Sequence, residues 1–196
     1  MDEALRTLLD ELYADGTAHD ADQPDRLRRR RNLEPETANL LALTLRVAGA
    51  REVVEIGTSN GYSAIWLADA VRDTGGRVSS VDVEEWPGVV ENLVRAGVSP
   101  SVARVISDGG AYLAGLPEGS VDLLFLDAER VEYPRWWPHP VRVLRPGGVL
   151  AVDNVLSHPD EVAGFLALAR KRDDLVGHTV PVGKGLFLAW KRATPR

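Results

Sequence analysis

Cysteine is absent from the 196-residue chain. That removes disulfides, thiolate metal ligands and cysteine nucleophiles, and it leaves the compartment open. No apolar run approaches the ~20 residues a membrane-spanning helix needs, so no membrane partner is expected. Positive charge is not in excess either. The 23 Lys and Arg stand against 29 Asp and Glu, a formal net charge of -6, which gives no electrostatic case for nucleic acid. The N-terminal MDEALRTLLDELYADG is acidic and amphipathic, unlike a secretion signal, so a cytoplasmic location is the default expectation. No internal repeat or low-complexity linker interrupts the chain. What remains is 44% hydrophobic and 27% charged residues, ordinary for a globular protein, at a length that suits one domain with a sizeable core.

Leu5, Leu8, Leu9 and Leu12 recur at helical spacing and predict a first amphipathic helix, interrupted by Gly16 and the polar residues to Asp25. The RLRRRRN stretch that follows reads as a solvated or partner-facing helix side, with a patch for an anionic substrate group as the alternative. Pro35 after Glu34 marks a second helix, carried to Gly49. From there the pattern alternates. Strands end at Gly57 (EVVEIG), Asp82 (RVSSVD), Ile106, Asp127 (VDLLFLD) and, after an RPGG turn, Asp153, with helical segments between them. The runs DLVGHTVPV and GKGLFLAWK form a last hairpin with its turn near Gly183. Such alternation predicts an α/β fold: a doubly wound, mostly parallel sheet with a C-terminal antiparallel hairpin and N-terminal helices. The whole reads as one domain, helices over residues 1–49 and an α/β core over 50–196.

In such sheets ligands bind beyond the carboxyl ends of the strands. The polar residues expected there are Glu55, Asp82, Asp108, Asp127, Asp153 and Asn154. One carboxylate at a strand end is usually a loop cap; one at nearly every crossover needs another cause. The loop from Glu55 to Gly61 carries glycines that let backbone approach a ligand, yet it is not G-x-G-x-x-G and has no phosphate-binding lysine. Asp82 suits the two hydroxyls of a ribose, and Asp108 could meet an adenine amino group. The ligand implied is an adenosine without a polyphosphate; the alternative for Gly57 and Gly61 is a plain tight turn. Asp127, Asp153 and Asn154, on strands that should be neighbours, offer three oxygens of a kind that suits a hard cation, Mg²⁺ before Mn²⁺ or Ca²⁺. The alternative leaves Asp127 to the cofactor alone and makes Asp153 and Asn154 a loop cap.

VVEIGTSNGYSAIWLADAV resembles motif I of class I S-adenosylmethionine-dependent methyltransferases, and RVSSVDVEE resembles their ribose-binding strand. FLDAERVEY followed by LRPGGVLAVDNV resembles the cation-dependent O-methyltransferases, the catechol and caffeoyl-CoA O-methyltransferase group. The likeness runs from about Pro35 to the C-terminus. It implies that Gly57, Ser59, Tyr62 and Ser63 lie along the methionine part of S-adenosylmethionine, with Glu55 nearby. Asp82 would hold the ribose and Asp108 the adenine side. Asp127, Asp153 and Asn154 would be the metal ligands. The implied reaction is metal-assisted O-methylation of a small hydroxylated, catechol-like aromatic substrate.

Two features depart from that group. Arg130 stands where it usually has a lysine base, and a guanidinium cannot be deprotonated in a protein. Arg130 could stabilise an oxyanion or pair with an acidic substrate; the alternative is a surface arginine paired with Glu129 or Glu132. After DNV the group carries an insertion over the metal, whereas here only Leu156 to Pro159 precede the next helix. The pocket is then shallower, or completed by the N-terminal segment or by the partner of a homodimer. His158 in that loop is a candidate base or extra ligand, or an ordinary loop histidine. Tyr133 reads as core. Of Trp136 and Trp137, adjacent and so not on one helix face, at most one forms an aromatic wall. Two rivals stay open: a metal-independent methyltransferase of the same fold, and a cofactor-binding module without turnover.

Overall fold

The computed structural model describes residues 1–193. Helices α1 (Glu3–Asp22) and α2 (Pro35–Ala48) lead into β1 (Glu52–Ile56), α3 (Tyr62–Val71), β2 (Arg77–Asp82), α4 (Val89–Arg95), β3 (Val102–Ile106), α5 (Gly109–Gly115) and β4 (Val121–Leu126). Then come α6 (His139–Arg142), β5 (Leu144–Val152), α7 (Pro159–Arg170), β6 (Leu175–Val180) and β7 (Leu186–Lys191). The 7-stranded sheet has the order β3-β2-β1-β4-β5-β7-β6. Strands β1 to β5 are parallel, and β7 runs antiparallel to both β5 and β6, which closes the edge as the C-terminal hairpin predicts.

The central strands are apolar on both faces because both are covered. Successive residues alternate between two cores. Val53, Val78, Leu123, Phe125 and Ala151 pack towards α1, α2 and α3. Val54, Val81, Leu124, Leu126, Leu150 and Val152 pack towards Tyr133, Trp136 and α7. Register fixes the site. Ile56 pairs with Leu126, and Leu126 with Val152, so the next residues, Gly57, Asp127 and Asp153, emerge side by side. Backbone bonds extend the ladder past the strand ends: Asp127 N–H to the Ile56 carbonyl (2.9 Å) and Asp153 N–H to the Leu126 carbonyl (3.1 Å).

Three expectations are corrected. Helix α1 continues through Gly16, whose missing Cβ admits the Asn32 side chain; a Cβ there would lie 2.3 Å from Asn32 Nδ2. RLRRRRN is not a helix side but a short 3₁₀ turn (Arg26–Arg28) continuing into extended chain, because its polar groups are used by α1 and the cleft. RPGG does not precede its strand but lies inside it. Leu144 pairs with Val121 and Val149 with Leu123, so the intervening residues bulge from β5. Among the described residues no helix is long and apolar enough to cross a membrane.

Candidate active site

A cleft of about 660 Å³ opens at the carboxyl edge of the sheet. Gly57, Ser59, Tyr62, Ser63, Asp82 and Asp108 line one end, and Asp127, Arg130, Asn154 and His158 the other. Glu55 and Asp153 lie behind the surface of the cleft, both buried. All the residues expected to form the site are therefore gathered in one place.

At the first end the glycine loop is held by backbone. Gly57 has φ 109°, and a Cβ there would come 2.2 Å from the Asp127 carbonyl oxygen, so only glycine lets the β1 loop lie against the end of β4. Asp82 Oδ2 accepts the N–H groups of Thr58 (2.9 Å) and Ser59 (3.1 Å), and Oδ1 accepts that of Val83 (2.8 Å). Each oxygen of an ionised carboxylate can accept more than one bond, so ribose hydroxyls remain within its capacity. Asp108 is exposed and caps α5 through the N–H of Ala111 (2.8 Å). Beneath the loop Ser80 Oγ donates to Glu55 Oε2 (2.5 Å), and Thr58 Oγ1 lies 2.8 Å from Ser80 Oγ. Glu55 Oε1 has no hydrogen-bond partner, and burial pushes the carboxyl up to about 8. Asn60 Nδ2 and Trp86 Nε1, on residues that line the cleft, are also buried without partners. Trp136 forms a wall here: a Cβ on Gly110 would lie 2.4 Å from its ring, so the Gly109–Gly110 start of α5 is what seats it. Trp137 instead packs edge-on against Phe165 in the core.

The other end is built from charges. Asn154, at φ 65°, bridges the two aspartates: its Nδ2 donates to Asp127 Oδ1 (3.1 Å) and Asp153 Oδ2 (2.9 Å). Asp153 Oδ1 is buried without a partner. Burial, then repulsion from Asp127, holds Asp153 above the usual carboxylate range. Burial does the same to Asp127 against the pull of Arg31, Lys184 and Arg130. Tyr133 is wholly buried and fixes the loop after Asp127, since its hydroxyl accepts from Ala128 N–H (2.7 Å) and donates to the Ala128 carbonyl (3.1 Å).

Arg130 is buried at 4% exposure and pairs with neither Glu129 nor Glu132. Its Nε and Nη2 both bond Glu161 Oε2 on α7, at 2.8 and 2.7 Å. His158 stands at the start of α7 without a side-chain cap bond, its Nδ1 2.9 Å from Ser157 Oγ; burial, then the Arg130 charge, lowers its pKa.

Two features go beyond the sequence reading, which left open whether the N-terminal segment or a partner completes the pocket. The segment from Gln23 to Glu34 of the same chain straps the cleft. Asp20 holds the N–H groups of Arg30 (2.7 Å) and Arg31 (2.8 Å), Ser59 Oγ donates to the Arg30 carbonyl (2.8 Å), and Arg26 and Arg31 pair with Glu129. The basic run was the signal for this strap, although its partners could not be read. The second feature is Lys184, in the hairpin turn, which lines the charged end of the cleft 2.6 Å from Glu34. The flanking glycines signalled a turn but not where it docks.

The sequence profile of the O-methyltransferase family matches residues 16–191. A Mycobacterium tuberculosis protein named "Probable O-methyltransferase Rv1220c" is 35% identical over 170 residues, 79% of this chain and 75% of that one. Among solved structures, the O-methyltransferase TomG of Streptomyces achromogenes, involved in tomaymycin synthesis and in complex with SAM, matches at TM-score 0.74 and 27% identity, over 98% of this chain and 91% of that one. Cofactor-bound Rv0187 from MTB matches at TM-score 0.76 and 30% identity, over 99% and 92% of the two chains.

Proposed function

The chain belongs to the O-methyltransferase family and is an S-adenosylmethionine-dependent enzyme, and from that premise we propose that it methylates a hydroxyl of a small, catechol-like acceptor with the help of a divalent cation. The cation, Mg²⁺ before Mn²⁺ or Ca²⁺, would be held by Asp127, Asp153 and Asn154. The observation that carries this is the orphaned Oδ1 of the buried Asp153 beside a second carboxylate, the half-buried Asp127. Two such groups need positive charge between them, and what stands there is the Asn154 amide. Half a turn of that amide replaces Nδ2 by Oδ1 and completes three oxygen donors of the type hard cations take.

When bound, S-adenosylmethionine supplies an electrophilic methyl group, and a divalent cation makes a coordinated hydroxyl more acidic. The protein supplies the rest. Asp82 orients the ribose, Trp136 and the Gly57 loop shape the slot, and Asp108 stands at the adenine side. Glu55, Tyr62 and Ser63 border the methionine part. Holding acceptor and donor in line provides much of the acceleration. Arg130, locked by Glu161, places fixed positive charge at the acceptor end and cannot remove a proton. His158, neutral near pH 7, is the one side chain in that loop able to accept one.

Chelator tests the reading. It should abolish methylation of 3,4-dihydroxybenzoate and leave the circular dichroism unchanged, because Asp127, Asp153 and Asn154 lie past the strand ends and outside both cores. Full turnover in chelator would favour the metal-independent reading, for which Lys184 beside the aspartates is the specific support.

A further inference from the structure

The turn between β6 and β7 carries one charged side chain, Lys184, between two glycines. A Cβ on Gly183 would lie 2.4 Å from Thr37 Oγ1, and one on Gly185 2.5 Å from the Leu156 side chain. Both glycines have positive φ, so the turn presses against α2 on one side and against the chain after Asn154 on the other. The Lys184 carbonyl accepts the N–H groups of Leu156 and Ser157, each at 3.1 Å, and the Gly185 carbonyl accepts that of Val155 at 3.0 Å. The lysine is thereby fastened to the strand end that carries Asp153 and Asn154. Its Nζ pairs with Glu34 at 2.6 Å and lines the cleft with Asp127 and Asn154.

Charge makes this placement consequential. Among the described residues the only side-chain hydrogen-bond partner of Asp127 and Asp153 is the Asn154 amide, which is neutral. Their compensation must come through space, and the Lys184 field acts on both of them. Burial opposes the Lys184 charge, but the Glu34 pair and the two aspartates outweigh it and hold the ammonium above the usual lysine range.

We propose that Lys184, which lines the cleft with Arg31 and Arg130, is the counter-charge that acts on both Asp127 and Asp153 and lowers the affinity of that pair for a divalent cation by opposing it. The inference rests on the reading of Asp127, Asp153 and Asn154 as a cation site. A fixed positive charge beside the pair lowers the repulsion between the carboxylates in the empty site, and the same charge repels an incoming cation. Glu34 moderates both effects by holding the ammonium to one side.

The test is calorimetric titration of Mn²⁺ alone into the metal-free wild type, Lys184→Met and Lys184→Arg, with thermal melts to establish that each is folded. Lys184→Met should bind Mn²⁺ at least about tenfold more tightly, the scale of one unit charge near a partly buried site. It should also melt lower when metal-free, since the aspartates lose their compensation. Lys184→Arg keeps the charge and should bind like the wild type. Equal Mn²⁺ affinity in wild type and Lys184→Met would overturn the proposal and leave the cation site standing. Tightening by Lys184→Arg as large as by Lys184→Met would overturn it too, because the cause would then be shape rather than charge. If none of the three folded proteins binds Mn²⁺ at millimolar concentration, the cation site itself fails and the proposal falls with it.

Discussion

At the proposed cofactor end of the cleft Asp82 is met by three backbone N–H groups, from Thr58, Ser59 and Val83, whereas at the proposed acceptor end Asp127 and Asp153 share one side-chain amide. Backbone donors are fixed by the loop and cost no further ordering once it has folded. They leave Asp82 satisfied before any ligand arrives. At the acceptor end the compensating charges belong to Lys184, Arg31 and Arg130, none of which makes a direct ion pair with either aspartate; each is tied to a glutamate instead. One end has its carboxylate supplied with donors as folded. The other retains a demand for positive charge that the folded chain only partly meets.

The largest effect should come from removing a charge at the unsatisfied end. Asp153→Asn should lower the methylation rate about a hundredfold or more, the scale of losing an electrostatic group in a desolvated site. It should also abolish Mn²⁺ binding and, above the raised pKa at which Asp153 ionises, stabilise the metal-free protein, because a buried and under-compensated charge is then gone. A destabilised Asp153→Asn in thermal melts would mean the pair is content without a cation, and the contrast between the two ends would collapse. The corresponding change at the satisfied end is Asp82→Ala. It should weaken S-adenosylhomocysteine by ~1.5–3 kcal/mol, as for a charge-assisted hydrogen bond, and leave Mn²⁺ affinity unchanged. Calorimetry with both ligands separates the two: a change in both would make the cleft one coupled unit.

The same difference explains what could be read from the chain. The cofactor end was legible because its parts are local. Glu55 to Ser63 is one strand–loop–helix, and Asp82 ends the next strand, so glycine spacing and strand ends suffice. The alternation of strands and helices also gave the parallel sheet and the closing hairpin, and with them the adjacency of Asp127 and Asp153. The acceptor end was legible only in those two strand ends and Asn154. Its remaining parts join residues remote in sequence: Glu34 to Lys184, Arg31 to Glu129, Arg130 to Glu161. No periodicity announces such pairs. Gly16 failed for a related reason: read locally it breaks a helix, but in the fold it makes room for Asn32. RPGG failed because a turn signal does not reveal that its flanks pair with the same strand.

Glu55 is the exception at the proposed cofactor end, and it offers the most specific test of the contrast. It is buried with Oε1 unpartnered, and its pKa is about 8 against an ordinary 4.5. The unfolded chain therefore releases this proton near pH 4.5, while the folded protein keeps it to about pH 8. Between those values the folded state binds more protons than the unfolded one, so this group makes stability fall as pH rises, with no slope from it below or above that window. Glu55→Gln is neutral throughout and lacks the slope. In melts of the metal- and cofactor-free protein, the variant should match the wild type near pH 5 and exceed it progressively up to pH 8. The final gain should approach about 4 kcal/mol, roughly 1.4 kcal/mol for each pH unit between 5 and 8, with relaxation around the carboxylate lowering it. A constant difference between the two proteins across the window would show that Glu55 does not titrate there. Glu55 would then count with Asp82 as a satisfied carboxylate, and the unmet demand for charge would be confined to Asp127 and Asp153.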